Sequence, residues 1–236
     1  MAEAVIFIAV AALARGHARP TGTQPARARA TATAHARERA SRPASARSAS
    51  TPPTAAGQDL SWTDFHGIQL PVSPAAGPRH TVSGLAFGFT DTPDGALLAA
   101  INIGVRTAAQ WGPAIFTPTI TRQVTGPDAL TLLRAETSAY AALRAAAHLR
   151  AGQPAGRGYA AEVAYRFDAW TPAVATVDVV SSGPGSNGTT VLAVTRIQVL
   201  WEHADWRLLA PPGGNWANSA AGLSSLTGYT IFPGER

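Results

Sequence analysis

For residues 59–236 the sequence predicts a single α+β domain in which helices pack against a curved antiparallel sheet. Two changes of hydrophobic period carry that expectation. Between residues 92 and 150 apolar residues recur at helical spacing, and after Gly158 they alternate with polar ones at the spacing of a half-buried strand. Helical patterns followed by strand patterns joined at tight turns is the order of an α+β arrangement, not of repeating βαβ units.

The elements follow in chain order. Ser61 to Val72 opens with alternating large residues, and Ser83 to Phe89 is a short strand candidate. Thr92 can cap a helix with Pro93 at its first position and Asp94 in its first turn; Leu97, Ala100, Ile101, Gly104 and Val105 then share one stripe. Gly126, Pro127 and Asp128 repeat the start signal for a second helix through Leu130, Leu133, Thr137, Tyr140, Ala141 and Ala147 to Arg150, ended by Gly152 to Gly158.

Beyond Gly158, strict alternation puts Ala161, Val163, Tyr165, Phe167 and Ala169 on one face of a strand and Glu162, Arg166, Asp168 and Trp170 on the other. Ala173–Ser181 and Thr189–Trp201 are two further strands joined by the turn Ser182–Gly188, and Trp206–Leu209 closes another hairpin, with Trp201 and Trp206 placed to pack across it. Pro211 to Trp216 and the Ser/Gly-rich tail to Arg236 are expected to leave the sheet, packing over an edge or serving as a partner-binding segment.

Charge is distributed unevenly. The first fifty residues hold eight arginines against two acids, whereas eleven arginines face twelve acids from residue 51 onward. The formal charge of +5 therefore belongs to the N-terminal arm, and no basic folded surface is indicated. Lysine is absent and alanine abundant, the mark of a GC-rich coding bias. Without cysteine there are no disulfides and no thiolate metal sites, so the domain relies on its core.

Residues 4–14 are an unbroken apolar run, half of the roughly 20 residues a membrane-spanning helix needs. The length suits a signal-peptide apolar region, yet positive residues follow it instead of preceding it. A truncated signal or anchor fits best; an interfacial apolar segment and a run with no role are the other two readings. Residues 15–58, built from Ala, Arg, Pro, Ser and Thr without aromatics, cannot bury enough surface to fold and read as a disordered linker. Its arginines stand singly, with no aromatics to stack on bases, so nucleic acid is not the expected partner.

Chemical motifs are mostly eliminated. The glycines of residues 183–188 match the letters of a dinucleotide-binding loop, but a strand follows where that loop needs a helix N-terminus. Ser186 lacks the strand-to-helix context of a nucleophile elbow. His66, His80, His148 and His203 have no short ligand spacing. Asp91 and Asp94 suit a helix start, leaving the strand acids Asp168 and Asp178 as the only candidate general bases. The sequence thus predicts no catalytic residue, no cofactor and no metal site. Among six tryptophans, Trp170, which alternates away from Tyr165 and Phe167, and Trp216, in the proline-rich segment, are the candidates for protein contact.

The phrase Gly84 to Ala100, together with Trp206 to Pro212, resembles an uncharacterised actinobacterial domain family across roughly residues 60–234. Members of that family are membrane-anchored, lie beside conjugation and mobile-element genes, and are similar in layout to the nuclear-transport-factor-2-like subunits of type IV secretion assemblies. The resemblance implies a nuclear-transport-factor-2-like or cystatin-like cone. It also implies a non-enzymatic, extracytoplasmic scaffold subunit of a conjugation or type IV secretion-like apparatus, membrane-anchored or secreted. Its partners would be other subunits of a membrane complex, self-association included. No site residue is implied. The alternative is a small-molecule-binding or enzymatic cone in which Asp168 or Asp178 serves as base.

Overall fold

A computed structural model describes residues 59–185 and 188–234. The apolar run 1–14 and the linker 15–58 expected from the sequence lie outside the described residues.

Two small hairpins come first: β1 (Ser61–Phe65) with β2 (Ile68–Val72), and β3 (His80–Val82) with β4 (Leu85–Phe87). Each turns through a pair of residues at positive φ, His66-Gly67 and Ser83-Gly84, as two-residue hairpin turns require. Helix α1 (Pro93–Arg106) begins as expected, with Thr92 Oγ1 accepting from the Gly95 N–H at 3.1 Å and Pro93 in the first turn. Every residue from Gly95 to Arg106 is buried, not just one stripe. The helix packs against β2, β4 and three strands of the large sheet at once, and its many Ala and Gly residues permit that close approach.

Helix α2 (Pro113–Gln123) has no counterpart among the expected elements. Its two prolines and its Ile and Thr residues hide it: Pro113 occupies the first turn, but Pro118 and the β-branched residues lower helix propensity in the interior. Packing overrides that cost, since Phe116, Thr119, Ile120 and Gln123 are buried. After β5 (Val124–Thr125), α3 (Ala129–Ala146) lies on the outside, with only Leu132 and Tyr140 fully buried. Leu130, expected on its apolar stripe, is 55% exposed.

The remaining strands are β6 (Ala161–Thr171), β7 (Val174–Pro184), β8 (Thr190–Glu202), β9 (Asp205–Leu209), β10 (Ala220–Leu223) and β11 (Thr230–Ile231). They form, with β5, a seven-stranded sheet of order β11-β6-β7-β8-β9-β5, with β10 also on β8. This corrects the predicted fold class. The fold is mostly β, with a large mixed sheet and three helices among the described residues, and they form neither a closed barrel nor a nuclear-transport-factor-2-like cone. The sheet is mixed because β5 adds parallel to β9, Val124 opposite Leu208, at a separation in sequence that no hairpin signal announces.

Two more corrections bear on the site. The tail does not leave the sheet: β10 pairs with Leu192–Thr195 of β8, and β11 pairs with Ala164 and Tyr165 of β6. The strict alternation expected along β6 is broken twice, by register shifts between Glu162 and Ala164 and between Phe167 and Ala169. Each bulge inserts one residue and inverts the faces beyond it. Glu162 therefore comes opposite Ser181 and is 4% exposed, its carboxylate accepting from Ser181 Oγ at 2.7 Å, and Trp170 comes opposite the buried Ala175. Among the described residues, no helix is long and apolar enough to cross a membrane.

Candidate functional site

The outer face of β6, β7 and β8 carries a row of charge. Val177 and Val179 point into the core, so Asp178 between them points away from it. Register places Arg166 of β6 opposite Asp178 on one side and Arg196 of β8 on the other. Arg196 grips the carboxylate bidentately, Nε to Oδ1 at 2.8 Å and Nη2 to Oδ2 at 3.1 Å, and Arg166 Nη2 donates to Oδ2 at 2.6 Å. The Asp178 side chain is 5% exposed, whereas those of Arg166 and Arg196 are about half exposed at 44% and 52%. Burial alone would raise the Asp178 pKa; the hydrogen bonds and charges of Arg196 and Arg166 outweigh it and hold the carboxyl below its ordinary value. Both guanidinium pKa values rise, chiefly through the hydrogen bonds to Asp178.

Two neighbours complete the arrangement. Asp168, the extra residue of the second bulge, reaches Arg196 Nη2 at 3.3 Å from the solvent side, and the Arg166 guanidinium lies over the Tyr229 ring, 4.7 Å from its centroid.

A cleft of about 770 Å³ rises over this row. It exists because one edge of β8 changes partner along its length: β9 pairs with Val199–Glu202 and β10 with Leu192–Thr195. In between, the chain leaves the sheet through two short 3₁₀ turns, Pro212–Gly214 and Trp216–Ser219. Leu209 to Pro212 and Ala220-Ala221 form a wall above the floor of Thr176, Val194 and Gln198. Gly214 adopts φ 62, and a Cβ there would lie 2.7 Å from the Thr131 carbonyl carbon, so α3 presses directly on the turn.

The residues expected to make contacts are placed as follows. Trp216 lines the cleft but is 7% exposed, its ring set in the hydrophobic core and its indole Nε1 donating to Thr107 Oγ1 at 3.1 Å. Trp170 is half-buried against the core, with ring centroids 6.5 Å from Phe167 and 5.6 Å from Trp206. Asp168 and Asp178 do come together, joined through Arg196. His66, His148 and His203 take left-handed positions with φ of 54, 52 and 55, and among the described residues no three His, Asp or Glu side chains gather as a metal site would need.

Arg166 and Arg196 are the site residues that sequence reasoning missed. A lone acid in the Val-rich β7 and a lone arginine in β8 were a usable signal, but pairing them needs the register. That register turns about residue 187, because β7 runs on to Pro184 and β8 begins at Thr190. A turn over Ser182–Gly188 centres two residues earlier and sets Asp178 against Leu192 instead.

Residues 23–231 match a family described as a domain of unknown function, DUF8175; the match starts inside the arginine-rich arm and takes in the whole sheet. No curated protein and no solved structure matches the chain. The match agrees with the resemblance to an uncharacterised family. By the extent of that match, the chain belongs to the DUF8175 family.

Proposed function

We propose that the domain is a non-enzymatic binding module, an assembly subunit that holds a segment of another polypeptide in the cleft on the outer face of β6, β7 and β8. The observation that carries this reading is the state of Asp178. A general base must be free to take a proton near neutral pH, but this carboxylate is buried, gripped by two guanidiniums and held below its ordinary pKa. What remains is a recognition surface: a charged floor of fixed geometry beneath apolar walls from Leu209, Pro211 and Trp216. The resemblance to membrane-anchored domains beside conjugation genes supports an extracytoplasmic, type IV secretion-like apparatus as the setting. The cleft volume favours a second reading, since about 770 Å³ also suits a small molecule.

Random-peptide display against the full chain tests the first reading. Ala221 is exposed on β10, lines the cleft and pairs with Val194, so Ala221→Trp fills the space without touching the core. Wild-type protein should enrich related sequences that Ala221→Trp loses by about tenfold or more. Enrichment that survives this substitution, or none at all, overturns the reading.

A further inference from the structure

We infer that residues 224–229 are a displaceable strap that occupies the middle of one long groove as an internal ligand, and that a partner polypeptide enters by taking its place; this rests on the peptide-binding reading above.

The course of the strap follows from strand pairing. β10 ends at Leu223 on the far edge of β8, and β11 starts at Thr230 on the far edge of β6. With β7 between β8 and β6, these points lie four strand spacings apart, about 19 Å. The joining segment 224–229 is short, and the Tyr229 N–H donates to the Leu226 carbonyl at 3.0 Å, so part of its length is drawn into a turn. A remaining reach of about 21 Å permits only a straight crossing. It runs over the outer face, because α1 fills the inner one and the Tyr229 ring stands on Arg166 at 4.7 Å.

The alternation that turns Asp178 outward also turns Val180 outward beneath this crossing, with Ala164 and Val194 opposite it. Val180 and Ala164 are fully buried, yet they stand outside the core packed under α1. On the other side of the strap a second cleft, of about 780 Å³, is lined by Ser182, Thr190 and the exposed Ile231. The two clefts are therefore the ends of one groove along β7, and the strap roofs its middle.

The strap is lightly held. Among the described residues no backbone group of 224–229 bonds to the sheet, and the hydroxyls of Ser225 and Thr227 bond to each other at 2.8 Å. β11, which fixes one end, pairs with β6 at two positions. Beyond it Phe232 is a firm anchor, 2% exposed and with its ring centroid 4.9 Å from that of Tyr165. Released from β6 as far as Phe232, the chain after Leu223 has a contour of about 30 Å over nearly the same span. It can then arch about 10 Å off the sheet, the separation of two packed layers of backbone.

The strap also shows the chemistry of what replaces it. It carries no charge, which suits a floor where Arg166 and Arg196 are matched by Asp178, with Asp168 and Asp128 beside them. Leu226 and Tyr229, three residues apart, are its half-buried side chains. The partner segment is accordingly uncharged, with an aliphatic and an aromatic residue at that spacing.

The test uses the full chain with Ala164→Cys and Ile231→Cys. The chain has no cysteine of its own. Because the Phe232 N–H donates to the Val163 carbonyl, the neighbouring pair of 231 and 164 is of the close, non-hydrogen-bonded kind that a disulfide can bridge. In the reduced protein the Thr230 amide should exchange about a hundredfold faster than those of Val177 and Val179 in β7, and oxidation should slow it about tenfold or more. Peptides enriched by display on the wild type should carry the aliphatic and aromatic pair, and should bind the oxidised variant about tenfold more weakly than the reduced one. Leu226→Ser with Tyr229→Ser acts in the opposite sense, loosening the strap, and should bind the same peptides about tenfold more tightly than the wild type. Circular dichroism establishes that the variants are folded, and the loosened variant decides the matter if the cysteine pair does not fold. Thr230 exchange no faster than in β7, enriched peptides without that pair, equal binding by the two redox states, or no gain on loosening each overturns the strap as internal ligand while leaving peptide binding standing. Absence of any enrichment overturns both.

Discussion

The indole Nε1 of Trp216 donates to Thr107 Oγ1 at 3.1 Å across 109 residues of sequence, and the same hydroxyl donates to the Gly104 carbonyl at 2.7 Å. Thr107 is the C-cap of α1, so this chain of bonds ties the wall of the cleft to the end of the central helix. Because Trp216 and Thr107 are both buried, each loses a bonded partner if the other is truncated. Trp216→Phe and Thr107→Val should each cost about 1–3 kcal/mol in urea unfolding, and the double variant should show a coupling of about 1 kcal/mol. Strict additivity would mean that the two residues contribute independently.

Asp178→Asn should destabilise the protein by about 2–4 kcal/mol, because it leaves two guanidiniums facing each other across a buried amide. The half-exposed arginines are screened by water, which keeps the figure at the lower end. The pH dependence follows from the depressed folded pKa. The contribution is fully present above the unfolded value of about 4 and is lost as pH falls through the lower folded value. The wild type should therefore lose stability in that acid window, and Asp178→Asn should lose less, as read from urea midpoints across the acid range. Parallel profiles would show that the carboxylate is not stabilised by folding.

Much of the frame was legible because local rules and tertiary structure agree there. Thr92-Pro93-Asp94 starts α1, and the alternating Val residues of β7 give a strand with one face in the core. Failures fall where a non-local contact overrides a local signal. Pro118 argues against the helix that buries Phe116 and Ile120; Val124–Thr125 is a strand only because Leu208 and Leu209 lie beside it. Along β6 the bulge at Asp168 sends Trp170 inward onto Trp206 and leaves Asp168 beside Arg196, and no periodicity reveals one inserted residue. The cleft was hidden for the same reason, since both its charged row and its wall depend on strand register.

Gly95→Ala should destabilise, against the usual gain of about 1 kcal/mol for replacing a helical glycine. A Cβ at residue 95 would collide with the Thr90 carbonyl oxygen and lie 2.9 Å from the Thr90 carbon and nitrogen. Thr90 cannot yield. Its N–H donates to the Ala76 carbonyl at 3.1 Å, and its carbonyl accepts from Trp206 Nε1 at 2.8 Å. The adjacent Gly88 and Phe89 N–H groups are held by the Asp205 carboxylate at 2.8 and 3.1 Å. The clash is therefore resolved by moving α1, at about 1–3 kcal/mol. A melting temperature equal to or above that of the wild type would show that the loop gives way.

Arg106 and Tyr165 should impose opposing alkaline slopes on stability. Arg106 is 4% exposed, with Nη1 donating to the Asn102 carbonyl and Oδ1 at 2.8 and 2.9 Å and its guanidinium 4.4 Å from the Phe65 ring centroid. No carboxylate among the described residues forms an ion pair with it, and burial lowers its pKa to about 10. The Tyr165 hydroxyl is pushed up to about 12, chiefly by burial, with the charge of Asp94 adding. Above pH 10 the unfolded chain keeps the arginine proton that the folded protein gives up, so this group makes stability rise with pH. Over the same range the folded protein keeps the tyrosine proton that the unfolded chain has lost, so stability falls. Each slope is at most about 1.4 kcal/mol per pH unit, and in the wild type they offset each other. Tyr165→Phe should unmask the rise and Arg106→Met the fall, when urea midpoints are followed upward from pH 10. At neutral pH, Arg106→Met should be neutral or stabilising, because it replaces an unpaired buried cation with an apolar chain of similar length. A flat alkaline profile in both variants would show that neither group titrates with a pKa changed by folding.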